Sequence, residues 1–278
     1  NILKAGHELV VHNRTREKEL SLVDAGALRA DTPREAAAGA EIIIPCVSDT
    51  PDVETIVLGD EGIIHGAATG SLLVDMSTIS PTATRQMAAT LAEKEIRLID
   101  APVSGGSEGA QNGTLAIMVG GEAKDVQYAM PVLEAMGKTI THVGGISSGQ
   151  IAKAINQVVI AGTYLGVAEG MVLGMKAGLD MRKVIEAISG GAAGSWVLSN
   201  RAMNMVNNTY PLGFRVRLHH KDLRIALEAA RELAVTLPVS AMVDQIENGL
   251  MGRGYGDEDM SAMARTLREL SGLDGPTT

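Results

Sequence analysis

The first 145 residues alternate short apolar runs with helical stretches, and after Gly145 the alternation stops. The runs ELVVHN (8–13), EIIIPCV (41–47), SLLVDMS (71–77) and EIRLIDAP (95–102) are rich in Val, Ile and Leu and end in turn residues, the pattern of buried strands. TLAIMVGG (114–121) and KTITHVGG (138–145) add two more. Between them lie TREKELSLVDAGA, TPREAAAGA, TPDVETIVLG and SPTATRQMAATLAEKE. Several of these open on Ser or Thr followed by Pro, a helix-start signal. Strands alternating with helices predict parallel pairing in a doubly wound sheet. No convincing strand follows residue 149, and helices are expected over 180–190, 195–207, 219–235, 238–251 and 257–272.

The expected fold class is therefore α/β, a Rossmann-type doubly wound domain over 1–146, followed by an all-α domain over 147–278 and joined to it by a long interdomain helix. A chain of 278 residues is long enough for both. The G-x-G-x-x-G fingerprint that normally follows the first strand of such a sheet is missing. The sequence opens on NILKAG, which reads as the end of a helix running straight into a strand. A first strand, its glycine turn and most of a helix are expected to precede Asn1 in the natural protein, since the central strand would otherwise leave its neighbours' edges unpaired.

Aromatic residues make up only 2% of the chain, so the core must be aliphatic, with 14 Met contributing. A net charge of −9 argues against nucleic acid as a partner. The single Cys46 excludes an intramolecular disulfide framework and suits a reducing cytoplasm. The longest low-charge stretch, 154–168, is shorter than a membrane span and holds Asn156 and Gln157, so no membrane is expected as a partner. The adjacent His219 and His220 have no acid or Cys at ligand spacing, and no metal site is read from them.

The long helix carries the most informative side chains. In GQIAKAINQVVIAG (149–162), Lys153, Asn156 and Gln157 fall at i, i+3 and i+4 and share one face. Ile151, Ala152, Ala154, Ile155, Val158 and Val159 cover the rest. A helix apolar nearly all round is normally buried. Lys153 then either lays its stem along the core with its ammonium in water or is held inside for a purpose. Further along, Gly162, Gly166, Gly170 and Gly174 recur every four residues and suggest close approach by another helix.

Ligands of an open parallel sheet bind at the carboxyl ends of its strands. Four such ends carry polar or glycine residues: Asn13-Arg14-Thr15, Val47-Ser48-Asp49, Ser77-Thr78 and Ser104-Gly105-Gly106. An acid at the first would accept the ribose hydroxyls of NAD, whereas Asn followed by Arg suits a 2′-phosphate; taken alone the stretch fits an ordinary helix cap at Thr15 with a solvated Arg14 better. The glycines of APVSGG (101–106) either let backbone N–H groups cradle a carboxylate or form a plain turn. In HHKDLRIAL, Lys221 and Asp222 are placed at a helix start, where Asp222 favours the dipole and leaves Lys221 to point elsewhere.

DMSTISP, DAPVSGGSEGAQNGTLAIMVGG, GQIAKAINQ and HHKDLRIAL, in this order and spacing, resemble the β-hydroxyacid dehydrogenases over the whole chain. GGAAGSWVL (190–198) and PLGFRVRLHHKDL (211–223) look most like the tartronate semialdehyde branch of that family. The resemblance implies an enzyme with NADP, or alternatively NAD, as cofactor. It would reduce a small carboxylate-bearing semialdehyde to the hydroxy acid. Lys153 would be the catalytic residue, with Asn156, Ser104, Gly105 and Gly106 binding substrate. Asn13, Arg14, Thr15, Val47, Ser48, Thr78 and Lys221 would contact the cofactor. Reduction puts negative charge on the carbonyl oxygen, which a lysine can protonate. In reverse it must take the proton back, which an apolar surround helps by lowering a lysine pKa. A homodimer or homotetramer through the helical domain is expected, and a cytoplasmic location. The alternative substrates are those of 3-hydroxyisobutyrate dehydrogenase or a glyoxylate/succinic semialdehyde reductase. A non-catalytic NADP-binding module is the alternative of another class; it would have no use for the lysine stripe.

Overall fold

The computed structural model describes residues 1–273; residues 274–278 of the expected second domain lie outside it. The chain divides into two compact units, residues 1–153 and residues from Ala154 onward.

In the first unit the order is β1 (Val10–Val11), α1 (Leu20–Asp24), β2 (Leu28–Arg29), α2 (Pro33–Ala37), β3 (Ile42–Ile43), α3 (Thr50–Leu58), β4 (Leu72–Asp75) and α4 (Pro81–Ala92). Then come β5 (Arg97–Asp100), β6 (Val103–Ser104), α5 (Gly106–Asn112), β7 (Leu115–Gly120), α6 (Ala123–Met136), β8 (Gly137–Gly144) and the start of α7 (Ser148–Lys176). The Thr-Pro and Ser-Pro signals fall where expected. Thr32 and Ser80 cap α2 and α4 through their hydroxyls, Asp49 caps α3, and a proline follows each.

Strands β3, β4 and β5 pair in parallel, as do β7 and β8. The expectation of uniform parallel pairing does not hold at β7, which runs antiparallel to β5 and to the short β6. Pro102 explains part of this: EIRLIDAP breaks there, and the chain re-enters the sheet edge as a separate two-residue strand. Strands β1 and β2 form a parallel pair of their own, and Val10 and Leu28 on it are exposed.

The apolar run at β4 is covered on both faces. Alternation places Leu72 and Val74 against Val126, Ala129 and Leu133 of α6, and Leu73 among Val53 and Val57 of α3 and Met87 and Leu91 of α4. That is why LLVD reads as continuous hydrophobicity rather than alternation.

The second unit is helical: the rest of α7, then α8 (Met181–Ser189), α9 (Trp196–Val206), α10 (Val216–Glu232), α11 (Pro238–Gly252) and α12 (Met263–Leu270). Its core joins Ala161, Tyr164, Leu165, Ala168 and Met171 of α7 to Leu198 and Met205 of α9, Leu223 of α10 and Val243 and Leu250 of α11. By length and composition α7 could cross a membrane, which the low-charge count over 154–168 had not suggested; its apolar face is instead part of this core.

Two expectations for α7 need correction. Ile155 and Val159 are exposed, so the helix is not buried all round. Of the four glycines, only Gly174 is tightly packed, with the Met181 side chain against it. Gly162 has ordinary contact with Val239, and Gly166 and Gly170 meet no described neighbour, because that face points away from the core formed by Tyr164, Ala168 and Met171.

The helix start is a different matter. A methyl group at Gly149 would run into the carbonyl oxygens of Met118 and Asp100, neither of which can move without the sheet. Gly149→Ala should therefore lower the unfolding free energy by about 1–3 kcal/mol in urea titrations. Gly145→Ala, where an added methyl meets nothing, should change it by less than about 0.5 kcal/mol. Equal midpoints for both variants would refute the tight seat.

Candidate active site

Three of the expected loops lie at the carboxyl ends of strands of the first unit. Asn13-Arg14-Thr15 follows β1, Val47-Ser48 follows β3, and Thr78 follows β4. Because β3 and β4 are parallel, their ends lie at one edge of the sheet, the place where such sheets take extended ligands. Ser48 is exposed, and Val47 and Thr78 are half-buried. Hydrogen bonds tie these loops together. The Val47 N–H donates to Ser77 Oγ at 3.0 Å, and the Ser80 N–H to Thr50 Oγ1 at 3.1 Å.

The loop after β1 is built around a buried carboxylate. Glu19 accepts from the Asn13 N–H at 2.5 Å, from Arg16 at 3.0 Å and from Arg29 at 2.8 Å. The Asn13 amide turns back to the Thr15 carbonyl at 2.7 Å. Arg14 stands outside this network. Its side chain is 90% exposed and only 3.6 Å from Asp52 at the start of α3.

Lys153 is 7% exposed. It lies on the second turn of α7, whose start is pinned to the sheet. Asp100, at the end of β5, accepts the N–H groups of Ser147 and Gln150, both at 2.7 Å. Burial pushes the Asp100 carboxyl up, and these N–H donors hold it partly back. Ser104 is half-buried on β6, and Gly105 and Gly106 are exposed with φ of +131° and +62°, at the start of α5. Helix α5 was not expected; GSEGAQN has neither a strong apolar period nor a cap residue to announce it.

In the second unit the polar stripe continues as a network in which Gln157 and Asp222 are buried and Asn156 and Lys221 half-buried. Asn156 donates to Gln157 Oε1 at 2.7 Å, and Gln157 Nε2 to Asp222 Oδ2 at 2.6 Å. The other Asp222 oxygen is 2.7 Å from Lys221 Nζ. This corrects the reading of KDL. Helix α10 starts at Val216, so Asp222 lies beyond its first turn and acts as an acceptor for Gln157 and Lys221 rather than as a dipole partner.

His219, from which the sequence suggests no metal site, is fully buried. Its Nδ1 is 2.7 Å from Glu247 Oε1 and its Nε2 3.3 Å from the Gln157 carbonyl. His220 lies 3.3 Å from Asp244. Gln150, Asp100 and Glu247 have no assigned part in the sequence reading, and Asp222 has only the dipole role corrected above. The only signal for them was a polar residue type within an otherwise apolar stretch.

Two sequence profiles together match nearly all of the chain: "NAD binding domain of 6-phosphogluconate dehydrogenase" over residues 1–144, and "NAD-binding of NADP-dependent 3-hydroxyisobutyrate dehydrogenase" over residues 147–267. The chain is 38% identical to 2-hydroxy-3-oxopropionate reductase of Escherichia coli (strain K12), over 96% of this chain and 91% of that protein. It is 39% identical to 3-hydroxyisobutyrate dehydrogenase of Pseudomonas aeruginosa, over 87% and 84%. Among solved structures it superposes on Mycobacterium tuberculosis 3-hydroxyisobutyrate dehydrogenase with L-serine at a TM-score of 0.87, with 30% identity, covering 96% of this chain and 93% of that one.

The buried His219–Glu247 pair makes a pH prediction. Burial disfavours the charged ring, but the charge and hydrogen bond of Glu247 outweigh it and raise the His219 pKa. Burial raises Glu247 too, with His219 pulling it back. The folded protein thus holds a proton more tightly than the unfolded chain. The stabilisation is complete below the ordinary histidine value of about 6.5 and is lost as pH rises through the raised folded value. Unfolding free energy should fall on the alkaline side with a slope of up to about 1.4 kcal/mol per pH unit, and His219→Gln should remove that component. Identical pH slopes for the two proteins would rule the shared proton out.

Proposed function

The chain belongs to the β-hydroxyacid dehydrogenase family, NAD(P)-dependent enzymes of small hydroxy acids, and from that premise we propose that it reduces tartronate semialdehyde with NADPH, Lys153 supplying the proton. The observation that carries the reading is the burial of Lys153 one turn past a helix start fixed to the sheet. A lysine stem with its ammonium in water would be the ordinary arrangement; here the residue is only 7% exposed, and a fixed donor in such surroundings stabilises developing oxyanion charge best. When bound, the nicotinamide supplies the hydride.

The remaining roles follow from placement. Ser104 and the N–H groups of Gly105 and Gly106 would hold the substrate carboxylate; both glycines have positive φ, backbone that other residues rarely adopt, at the start of α5. Asn156, one turn beyond Lys153, would orient the substrate, its amide already fixed through Gln157. Val47, Ser48 and Thr78 would contact the cofactor at the strand ends, and Lys221, held by Asp222, would contact it from the second unit's sequence. Asn13, Arg14 and Thr15 would receive the adenosine ribose and its phosphate. The branch resemblance of residues 190–198 and 211–223 supports tartronate semialdehyde; the relatives named for that substrate and for 3-hydroxyisobutyrate are equally similar to the chain, at 38% and 39% identity. The open face of α7, with Val159, Gly166, Gly170 and Leu173, supports self-association as a homodimer or homotetramer.

Lys153→Ala should lower kcat by about 10²–10⁴-fold on the best substrate while leaving the circular dichroism spectrum unchanged, the range for loss of a general acid. Near-normal kcat would remove the lysine from the chemistry. A panel of tartronate, methylmalonate and succinic semialdehydes, assayed with NADPH, should rank tartronate semialdehyde first by kcat/KM.

Arg14→Ala should raise KM for NADPH by about tenfold or more, the worth of one charge-assisted contact, and leave KM for NADH within about twofold. An equal effect on both cofactors would return Arg14 to solvent.

A further inference from the structure

Gln150 is 1% exposed, and all its hydrogen-bonding groups point at fixed backbone or a fixed carboxylate. Its N–H joins Asp100 at the start of α7. Its side chain reaches back across the sheet edge. Oε1 accepts the Ile79 N–H at 3.1 Å, and Nε2 donates to the Ser77 carbonyl at 2.8 Å. The two residues it grips flank Thr78. Lys153 lies three residues after Gln150, about 4.5 Å further along the helix axis. One carboxamide therefore joins the segment that bears the lysine to the segment that bears Thr78, and through Ser77 Oγ to Val47.

We propose that Gln150 is a positioning residue for hydride transfer: its side-chain amide sets the distance between the Thr78 loop, which would contact the cofactor, and the helix turn that carries Lys153. This rests on the reading above of Thr78 as a cofactor contact and Lys153 as proton donor. The chemistry of the group supports it. A carbonyl acceptor and an N–H donor two residues apart on one strand of backbone need a partner with one donor and one acceptor in a plane. A primary amide offers that at any pH, a carboxyl only while protonated. Asparagine is a methylene shorter, a carboxylate lacks the donor, and an apolar side chain would leave the buried Ser77 carbonyl and Ile79 N–H unpaired. Reaction rates depend steeply on such a distance, and a misplacement of about 1 Å costs roughly 10²-fold. The bond spans 73 residues of sequence between Gln150 and Ser77, so local helix or loop preferences cannot replace it.

Two variants test the idea on the full chain. Gln150→Met keeps the length and removes both hydrogen bonds. It should lower kcat by about 10–100-fold, while the dissociation constant for NADPH, read by its fluorescence, changes by less than about threefold. Gln150→Glu is the sharper probe. Protonated, its carboxyl reproduces the amide, accepting from Ile79 and donating to Ser77; ionised, it faces the Ser77 carbonyl with no donor. Its pKa will be raised by burial and by the carboxylates of the same network, Asp100, which receives the Gln150 N–H, and Asp75, which receives the Ser77 N–H. The cations nearby in the chain are Arg85, on Ser147, and Lys153 itself. Activity of Gln150→Glu should approach that of the parent at low pH and fall as pH rises through that raised value, a limb additional to the one that deprotonation of Lys153 gives both proteins. A merely structural amide would lower the melting temperature and leave the pH profile of kcat in the folded protein unchanged; that outcome, or a Met variant with parental kcat, overturns the proposal. Lys153→Ala in the same assay separates the two readings. If it is inactive while Gln150→Met is normal, the positioning role falls and the lysine stands. If Lys153→Ala is active, the proton-donor reading falls, and the purpose given to Gln150 falls with it.

Discussion

The first turn of α7 is seated directly on the end of a β-strand, and most of what this chain can do depends on that seat. Asp100 closes β5 and in the same stroke caps the helix, taking two N–H groups that a helix start leaves without partners. A carboxylate there also meets the positive end of the helix dipole. The approach is close enough that Gly149 and Gly120 must lack side chains: a methyl on Gly120 would strike the Asp100 carboxylate itself. Burying a carboxylate this deeply is costly in isolation. Its fixed backbone donors offset the cost, and in exchange the start of α7, up to Lys153, is placed by the sheet rather than by a loop. Lys153 inherits that placement, being on the second turn.

The second unit solves the same problem with side chains. A helix that carries Asn156 and Gln157 into an aliphatic core must satisfy every polar atom or lose stability. Gln157 does so through Asp222, Asp222 through Lys221, and the Gln157 carbonyl through His219, which is itself held by Glu247. The chain of contacts runs over α7, α10 and α11. Each member fixes the rotamer of the next, so Asn156 and Lys221 are presented on rigid supports. The cost is that loss of one partner strands a buried group, which is why such networks behave as units rather than as sums of pairs.

The strand–helix alternation and the switch to helices after Gly145 were legible because they depend on local pattern: LLVD and IIIP are apolar on both faces, and Thr-Pro and Ser-Pro start helices wherever they stand. So were Lys153 and its amide neighbours, as polar residues at helical spacing on an apolar ground. What escaped was non-local. Nothing near Gln150 in sequence says that it grips Ser77 and Ile79, and nothing near Asp100 says that it caps a helix nearly fifty residues on. The antiparallel β6 and the helix over Gly106–Asn112 escaped because Ser-Gly-Gly allows almost any backbone, so the choice is made by the sheet edge. The glycine row of α7 misled for the opposite reason. Its periodicity is real, but periodicity does not say which face turns to the core, and Tyr164, Ala168 and Met171 take that place.

The loop after β1 shows how the fold sorts charges that look alike in sequence. Three arginines, Arg14, Arg16 and Arg29, are near the end of β1. Two of them converge on the buried Glu19, and Arg16 also reaches the Ala30 carbonyl and Asp31. Removing either guanidinium would leave a buried carboxylate short of a partner, so both are committed to the loop's own stability. Arg14 has no such duty. Its contact with Asp52 is long and lies at the surface, where an ion pair is worth less than about 1 kcal/mol. A phosphate brought to this edge would meet a cation whose present partner it can displace at little cost, on a loop that Glu19 has already made rigid. The neutral Asn13 beside it removes the repulsion that an acid would bring. Phosphate selectivity at this position would therefore arise less from the number of arginines than from the one the fold leaves uncommitted.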